Sequence, residues 1–420
     1  MGGSEDDKSP DKRISEGSSL DKSIGDLFRD YAEEYISHFT PELRAIKLIR
    51  SIRLCKTPAL GGKMICCKEC GHKKSIYLSW GHSQCPLCQY NKRQKWKEKL
   101  SYKLLQVPYS HTVFTIPHEL NGLCKSNKKE MYNIIMRASW QCIKQLSAKP
   151  ENLGALPGMI SVLHTFGSDM KYHVHVHCLI TFGGVDKTGK WHWPKRKKKL
   201  AGYRDLSKTF RQLFLTMLDK QLSQGNIIPI GNIEDVLLGV EKKRWNVRHS
   251  QPTIDLAVIE NYLSRYINRI AISKSRFTYL AEQKEVQIMY KDYRNQQESE
   301  PAPLGVKKMD PLVAIDQFLL HLLPAYFQKS RYYGLHASAT MKKYKDQIDK
   351  KLQKNGDSIR HLFSLLRALI KAAPYSCDKC QSCDYEIKKI KKDVNWIYYF
   401  ITLPNLRGPP KLIEHNIKGD

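Results

Sequence analysis

Acidic residues are scarce in this chain of 420 residues: 41 Asp and Glu stand against 70 Lys and Arg, a formal net charge of +29. Such a deficit excludes an ordinary balanced surface and calls for an anionic partner. Nucleic acid is the first expectation, because each phosphate met by Lys or Arg releases condensed counterions. Long apolar runs are missing too. No stretch reaches the roughly eighteen apolar residues that a membrane span needs, and no basic amphipathic helix singles out a membrane surface as the partner. The opening MGGSEDDKSPDKRISEGSS is polar throughout, so no secretory leader is expected and the reading is cytoplasmic. Internal repeats and heptads are absent, which excludes solenoids and coiled coils.

Cysteine, by contrast, is plentiful, with twelve residues. In a reducing compartment they argue for metal binding over disulfides. Cys67-x2-Cys70 and Cys85-x2-Cys88 are separated by fourteen residues, a spacing that predicts two knuckles closing on one tetrahedral structural Zn2+. Cys55, Cys66, His72 and His82 lie close by in sequence and could form a second site or replace one of the four. Cys377, Cys380 and Cys383 make a further cluster whose fourth ligand is not evident unless His336 or His361 supplies it; ordinary reduced thiols are the other reading.

The periodicity predicts an α+β fold. Residues 1–24 read as a disordered tail, 25–100 as a helix and a zinc-binding, DNA-contacting domain, 101–275 as a nuclease domain, and 276–420 as a mostly helical accessory region. Helices are predicted at 24–38, 126–147, 205–223 and 256–272, and a helix-like run at 318–327. HTVFTI (111–116) reads as a strand, MISVLHTF (159–166) and KYHVHVHCLITF (171–182) as a hairpin, and 291–310 as a loop.

The second hairpin strand carries the most chemistry. With a period of two, Tyr172, Val174, Val176, Cys178 and Ile180 point to one side, and His173, His175 and His177 to the other. A row of buried imidazoles is costly without partners, and a divalent cation relieves that cost. His175 and His177 can share one ion, with His164 on the partner strand or Asp169 in the turn as the third ligand. The alternative is a solvated polar face.

Downstream, Tyr262 and Tyr266 stand one helical turn apart, so both phenols can face one metal site. Arg265 and Arg269 repeat the spacing on a neighbouring face, where they can hold phosphates. The other reading makes the tyrosines core-edge residues beside Val258, Ile259, Leu263, Ile267 and Ile270. The chemistry that would join the two groups is phosphoryl transfer: a tyrosine attacks a phosphodiester beside Mg2+ or Mn2+, becomes linked to the 5′ phosphate and releases a 3′ hydroxyl. The run WHWPKRKKK (191–199), with Lys195, Arg196 and Lys197, suits a loop that tracks a DNA backbone while bases stack on tryptophan, or else a solvated lysine loop.

Taken in order, C-x-T-P-A-L-G-G…C-x-x-C-G-H…C-P-x-C-Q (55–89), HTVFTIPHEL (111–120), VLHTFG (162–167), HVHVHCL (173–179), YLSRYINRIAIS (262–273), YKDYR (290–294) and FLLHLLP…RYYGL (318–335) resemble the two-tyrosine transposases of the insertion-sequence-ninety-one family. The resemblance runs from about Arg53 to Ala337. It implies that His175-Val176-His177 is the family's histidine–hydrophobic–histidine (HUH) metal motif and that Tyr262 and Tyr266 are paired nucleophiles. It also implies an antiparallel sheet backed by helices, and rolling-circle mobilisation of an insertion sequence through single-stranded DNA ends and target DNA, at the bacterial nucleoid. The sequence departs from the family at Trp80, where a cysteine often follows the serine, which bears on a second zinc site. A plasmid replication initiator or relaxase would share the metal–tyrosine chemistry. A non-enzymatic zinc-ribbon DNA-binding protein would explain the charge and cysteines but not the histidine strand.

Overall fold

The computed structural model describes residues 21–88, 104–105, 107–255, 259, 271–272, 274–292, 302–344 and 376–392. The chain opens with β1 (Asp21–Lys22) and α1 (Ile24–Phe39). Ser23 starts the helix with a capping box: its hydroxyl accepts the Asp26 N–H, and the Asp26 carboxylate accepts the Ser23 N–H. Leu27, Phe28 and Tyr35 turn inward, as their spacing requires. Next come α2 (Leu43–Leu54), β2 (Gly62–Cys67), β3 (Lys73–Tyr77) and β4 (Tyr109–Thr115). The middle of the chain supplies α3 (Asn121–Ser126), α4 (Lys128–Ala148), β5 (Leu156–Phe166), β6 (Tyr172–Val185), β7 (Trp191–His192), α5 (Tyr203–Ser223), α6 (Ile233–Lys242) and β8 (Val247–His249). The last described elements are β9 (Phe277–Leu280), β10 (Glu285–Lys291), β11 (Leu304–Met309), α7 (Pro311–Leu320), β12 (Ser330–Gly334) and β13 (Tyr385–Ile390).

These elements form three antiparallel sheets, giving the mixed α+β architecture that the periodicity predicts. The central sheet has the order β12-β5-β6-β4-β8, with β7 beside β6. One of its faces is covered by α4 and α5: Phe114, Leu163, Val174, Val176, Cys178 and Ile180 share a core with Met131, Ile135, Phe210, Phe214 and Trp245. Alternation sends the histidines of β6 to the opposite face, which carries its own smaller apolar cluster of Ile160, Val162, Leu179, Tyr109 and Leu335. The predicted hairpin of β5 and β6 is present. Its turn is closed by the Gly167 N–H donating to the Lys171 carbonyl at 3.0 Å, with Met170 in the left-handed region at φ 63°.

A second sheet, β1-β9-β10-β11, packs with α1, α2 and α7. Phe28 meets Phe318 edge-to-face at 5.6 Å there. The third sheet, β13-β2-β3, is small. Strands from both ends of the chain therefore meet, β1 on β9 and β2 on β13.

Two expectations need correction. The stretch 291–310, read as a loop, contains β11, paired with β10 from Val286↔Met309 to Lys291↔Leu304. Its side chains are exposed or half-buried, so backbone pairing holds it with little apolar alternation to announce it. The helix-like run 318–327 stops early. α7 starts at Asp310, whose carboxylate caps the Leu312 N–H at 2.7 Å, and ends at Leu320; Pro324 lacks the N–H needed to continue. Among the described residues, the region after 276 contributes five strands and one α-helix. Residues 345–375 and 393–420 lie outside them. No helix among the described residues is long and apolar enough to cross a membrane.

Candidate metal centres

The hairpin register places His164 directly opposite His175, and Val162 opposite His177. Opposed side chains of this kind lie about 5 Å apart at Cβ, so three imidazoles converge. Ring centroids are separated by 4.6 Å for His164–His177, 5.3 Å for His164–His175 and 4.9 Å for His175–His177. One nitrogen from each ring lies within 4.8 Å of the other two. The His175 and His177 Nε2 atoms are 3.1 Å apart.

Outer contacts aim these rings. The Nδ1–H of His175 donates to the His173 carbonyl at 2.9 Å, which leaves the Nε2 lone pair facing His177. His177 Nδ1 lies 3.0 Å from His111 Nε2, and the two rings stack with planes 12° apart. Burial, then the charges of His249 and His175, lowers the His111 pKa to about 3, so that ring stays neutral near neutral pH. His164, His175 and His177 are themselves almost wholly buried. A set of buried, converging nitrogen donors, with second contacts on the His175 and His177 rings, fits a divalent cation.

The other predicted residues are placed as follows. His173 is exposed and stays out of the nitrogen cluster. Asp169 is engaged by Lys171, its Oδ1 accepting that residue's N–H at 3.2 Å and its Oδ2 pairing with the ammonium at 3.5 Å. Tyr262, Arg265, Tyr266 and Arg269 lie outside the described residues. Their flanks are described: Ile259 is buried with Ile160, Val162 and Leu179, while Ala271 and Ile272 are buried in the cluster that holds Phe166 and Met170. Lys195, Arg196 and Lys197 are exposed, and the Lys195 N–H donates to the Asn152 carbonyl at 2.8 Å. Beside them Trp193 is half exposed and meets Trp191 edge-on at 5.6 Å.

Sequence reasoning missed His111. Its signal lies in register: β4 pairs Val113 with His177, so His111 stands diagonally two residues away on the same face.

The cysteines depart from the predicted single site. Cys67 and Cys70 stand with Cys377 and Cys380, whereas Cys85 and Cys88 stand with Cys55. The physical reason is strand pairing: β13 lies along β2 with Tyr385 opposite Cys67, so the distant knuckle occupies the place expected for the neighbouring one. Neither His336 nor His361 completes the Cys377 cluster among the described residues; His336 Nε2 lies 3.1 Å from the Tyr109 hydroxyl instead, and His361 lies outside them. In the other group Cys55 Sγ and Cys88 Sγ are 3.0 Å apart. Hydrogen bonds from Cys55, then Cys85, hold the Cys88 thiol far below the ordinary thiol range. Cys66 and His72 join neither group.

A family model described as "Putative transposase" matches residues 158–344, and one described as "Transposase zinc-binding domain" matches residues 27–116. "Putative transposase y4qJ" of Sinorhizobium fredii is 31% identical over 321 residues, covering 74% of this chain and 79% of that protein. "Transposase for insertion sequence element IS801" of Pseudomonas savastanoi pv. phaseolicola is 25% identical over 350 residues, covering 80% of this chain and 81% of that protein. No solved structure matches. The first model spans β5, β6 and β12, and the second spans Cys55, Cys67, Cys70, Cys85 and Cys88. The chain therefore belongs to the insertion-sequence-ninety-one family of transposases and carries that family's zinc-binding domain.

Proposed function

We propose that the chain cuts and rejoins single-stranded DNA through a 5′-phosphotyrosine, mobilising an insertion sequence by a rolling-circle route. The observation that carries this reading is the buried, converging group His164–His175–His177 on one face of the central sheet. Ile259 belongs to the buried cluster that includes Val162, and Ala271 and Ile272 belong to the one that includes Phe166. Tyr262 and Tyr266 lie between those flanking residues in sequence.

His164, His175 and His177 would hold the divalent cation, Mg2+ or Mn2+, through ring nitrogens. Bound there, the cation supplies Lewis-acid polarisation of the scissile phosphate. Arg265 and Arg269 hold neighbouring phosphates. One phenol, from Tyr262 or Tyr266, attacks phosphorus in line. Its O–P bond forms, the bond to the 3′ oxygen breaks, and the phenolic proton ends on the released 3′ hydroxyl by way of solvent. The second phenol can take the next strand. Lys195, Arg196 and Lys197 follow the backbone, with the exposed Trp193 offering a stacking surface. Cys55, Cys85 and Cys88 hold structural zinc in the amino-terminal domain.

Incubation with Mn2+ and a single-stranded oligonucleotide carrying an element end, labelled at its 3′ terminus, is expected to give a protein–DNA adduct that survives denaturation. The unlinked fragment should end in a 3′ hydroxyl. No adduct on any element end would leave a DNA-binding protein without this chemistry. A finer expectation concerns His111. Replacing it with Phe keeps the stacked ring but removes the hydrogen-bond partner of His177, and metal affinity should fall by about 10–100-fold. Unchanged affinity in a Mn2+ titration would remove His111 from the site.

A further inference from the structure

We propose that Cys67, Cys70, Cys377 and Cys380 form one four-thiolate zinc site, a ribbon assembled from two knuckles more than 300 residues apart in sequence. The family model for the zinc-binding domain ends at residue 116, so it does not assign the second knuckle, and the inference stands independently of the phosphotyrosine reading.

The sulfur geometry comes first. All four Sγ atoms lie within 4.8 Å of one another. The shortest contacts run between knuckles: Cys67 to Cys380 at 3.5 Å and Cys70 to Cys377 at 3.6 Å. A tetrahedron with Zn–S bonds of about 2.3 Å has S···S edges of about 3.8 Å. A disulfide would need about 2.05 Å, so these contacts fit a shared ion and not a pair of cross-links.

The backbones repeat the same construction. In the first knuckle the Cys67 N–H donates to the His72 carbonyl and the Gly71 N–H returns to the Cys67 carbonyl, at 2.9 and 3.1 Å. In the second, the Cys377 N–H donates to the Ser382 carbonyl and the Gln381 N–H returns to the Cys377 carbonyl, at 2.8 and 2.9 Å. The residue after the second cysteine is left-handed in both, Gly71 at φ 68° and Gln381 at φ 60°. Gln381 accepts a backbone region that disfavours side chains, and it does so where the two knuckles match position for position. The Lys379 N–H also points at the Cys377 sulfur, 3.5 Å away.

The knuckles are joined as one body. β13 pairs with β2 from Tyr385↔Cys67 to Ile390↔Gly62. Lys68 pairs with Asp384 at 2.9 Å, and Lys74 with Asp378 at 2.5 Å. Apolar packing holds this sheet only in part: Ile65 is buried, but Ile76 and Ile387 are each 50% exposed. A sheet with so little core is the kind that a structural metal holds. Cys383 is exposed and lies outside the group, which makes it an internal control.

The test uses the zinc-loaded full-length protein and a maleimide, with each cysteine followed by mass spectrometry. Cys70, Cys380 and Cys383 are all exposed, so without a metal all three should be open to the reagent. With zinc bound, Cys383 is expected to react while Cys67, Cys70, Cys377 and Cys380 are slower by about tenfold or more. A chelator should release all four together. Labelling of Cys377 and Cys380 as fast as Cys383 before chelation overturns the site. Zinc content gives a second reading. Cys67→Ala/Cys70→Ala and Cys377→Ala/Cys380→Ala should each remove one equivalent, and the quadruple variant no more than that same one. A second equivalent lost in the quadruple variant, or none lost from the Cys377/Cys380 pair, overturns it equally.

Discussion

Changing both His175 and His177 to alanine is expected to slow single-turnover strand cleavage by about a thousandfold or more, because a metal that polarises phosphate contributes several kcal/mol to the transition state and each 1.4 kcal/mol is tenfold. Affinity for the single strand should change little. Binding would draw on the 29 excess positive charges, and Lys195, Arg196 and Lys197 are exposed and are not members of the nitrogen cluster. The fold should tolerate the change. The opposite face of β6 keeps Val174, Val176, Cys178 and Ile180 in the main core, and removing the imidazoles also removes buried polar atoms that need partners. Cleavage at the unaltered rate, in a variant whose thermal unfolding matches the parent, would end the catalytic-metal reading.

The second large effect concerns the phenols. Replacing Tyr262 and Tyr266 together by phenylalanine keeps both rings and removes both proposed nucleophiles, so the covalent adduct should vanish from denaturing gels. Each single change should impair complete transposition, because the proposed route calls on both phenols, while a single variant can still form some adduct. An undiminished adduct in the double variant would pass the role to another phenol. Tyr332, half-buried on β12 and packed against the same cluster as Ile160 and Val162, would be the first to examine.

Where local periodicity carried the information, the sequence was readable. The helices at 24–39, 128–148 and 203–223 follow apolar stripes, and β6 follows the alternation of Tyr172 to Cys178 after a Gly-Ser-Asp turn. His164 was readable as a candidate neighbour of His175 because a short turn limits the register. His111 was not, because its relation to His177 depends on how β4 lies along β6, and no turn links those two strands. The cysteines show the same limit more sharply. Spacing joins Cys67-x2-Cys70 to the nearest similar pair, Cys85-x2-Cys88, yet the partner pair is brought in by β13, whose Tyr-Glu-Ile-Lys-Lys-Ile pattern is largely exposed and says nothing of where it pairs. β11 was missed for the same reason. The tyrosine helix, the most consequential prediction, falls on residues outside the described ones, and its support comes from Ile259, Ala271 and Ile272 at its flanks.

The pairing of β2 with β13 also sets a timetable for biogenesis. β2 leaves the ribosome early, but the strand that covers its outer edge is translated more than 300 residues later. At roughly 5–20 residues per second, that is a wait of about 15–60 seconds. Throughout it the nascent chain carries an open strand edge, guarded chiefly by the charge of Lys63. Synthesis of the carboxyl-terminal knuckle, long after the first cysteines emerge, is what permits the amino-terminal module to close.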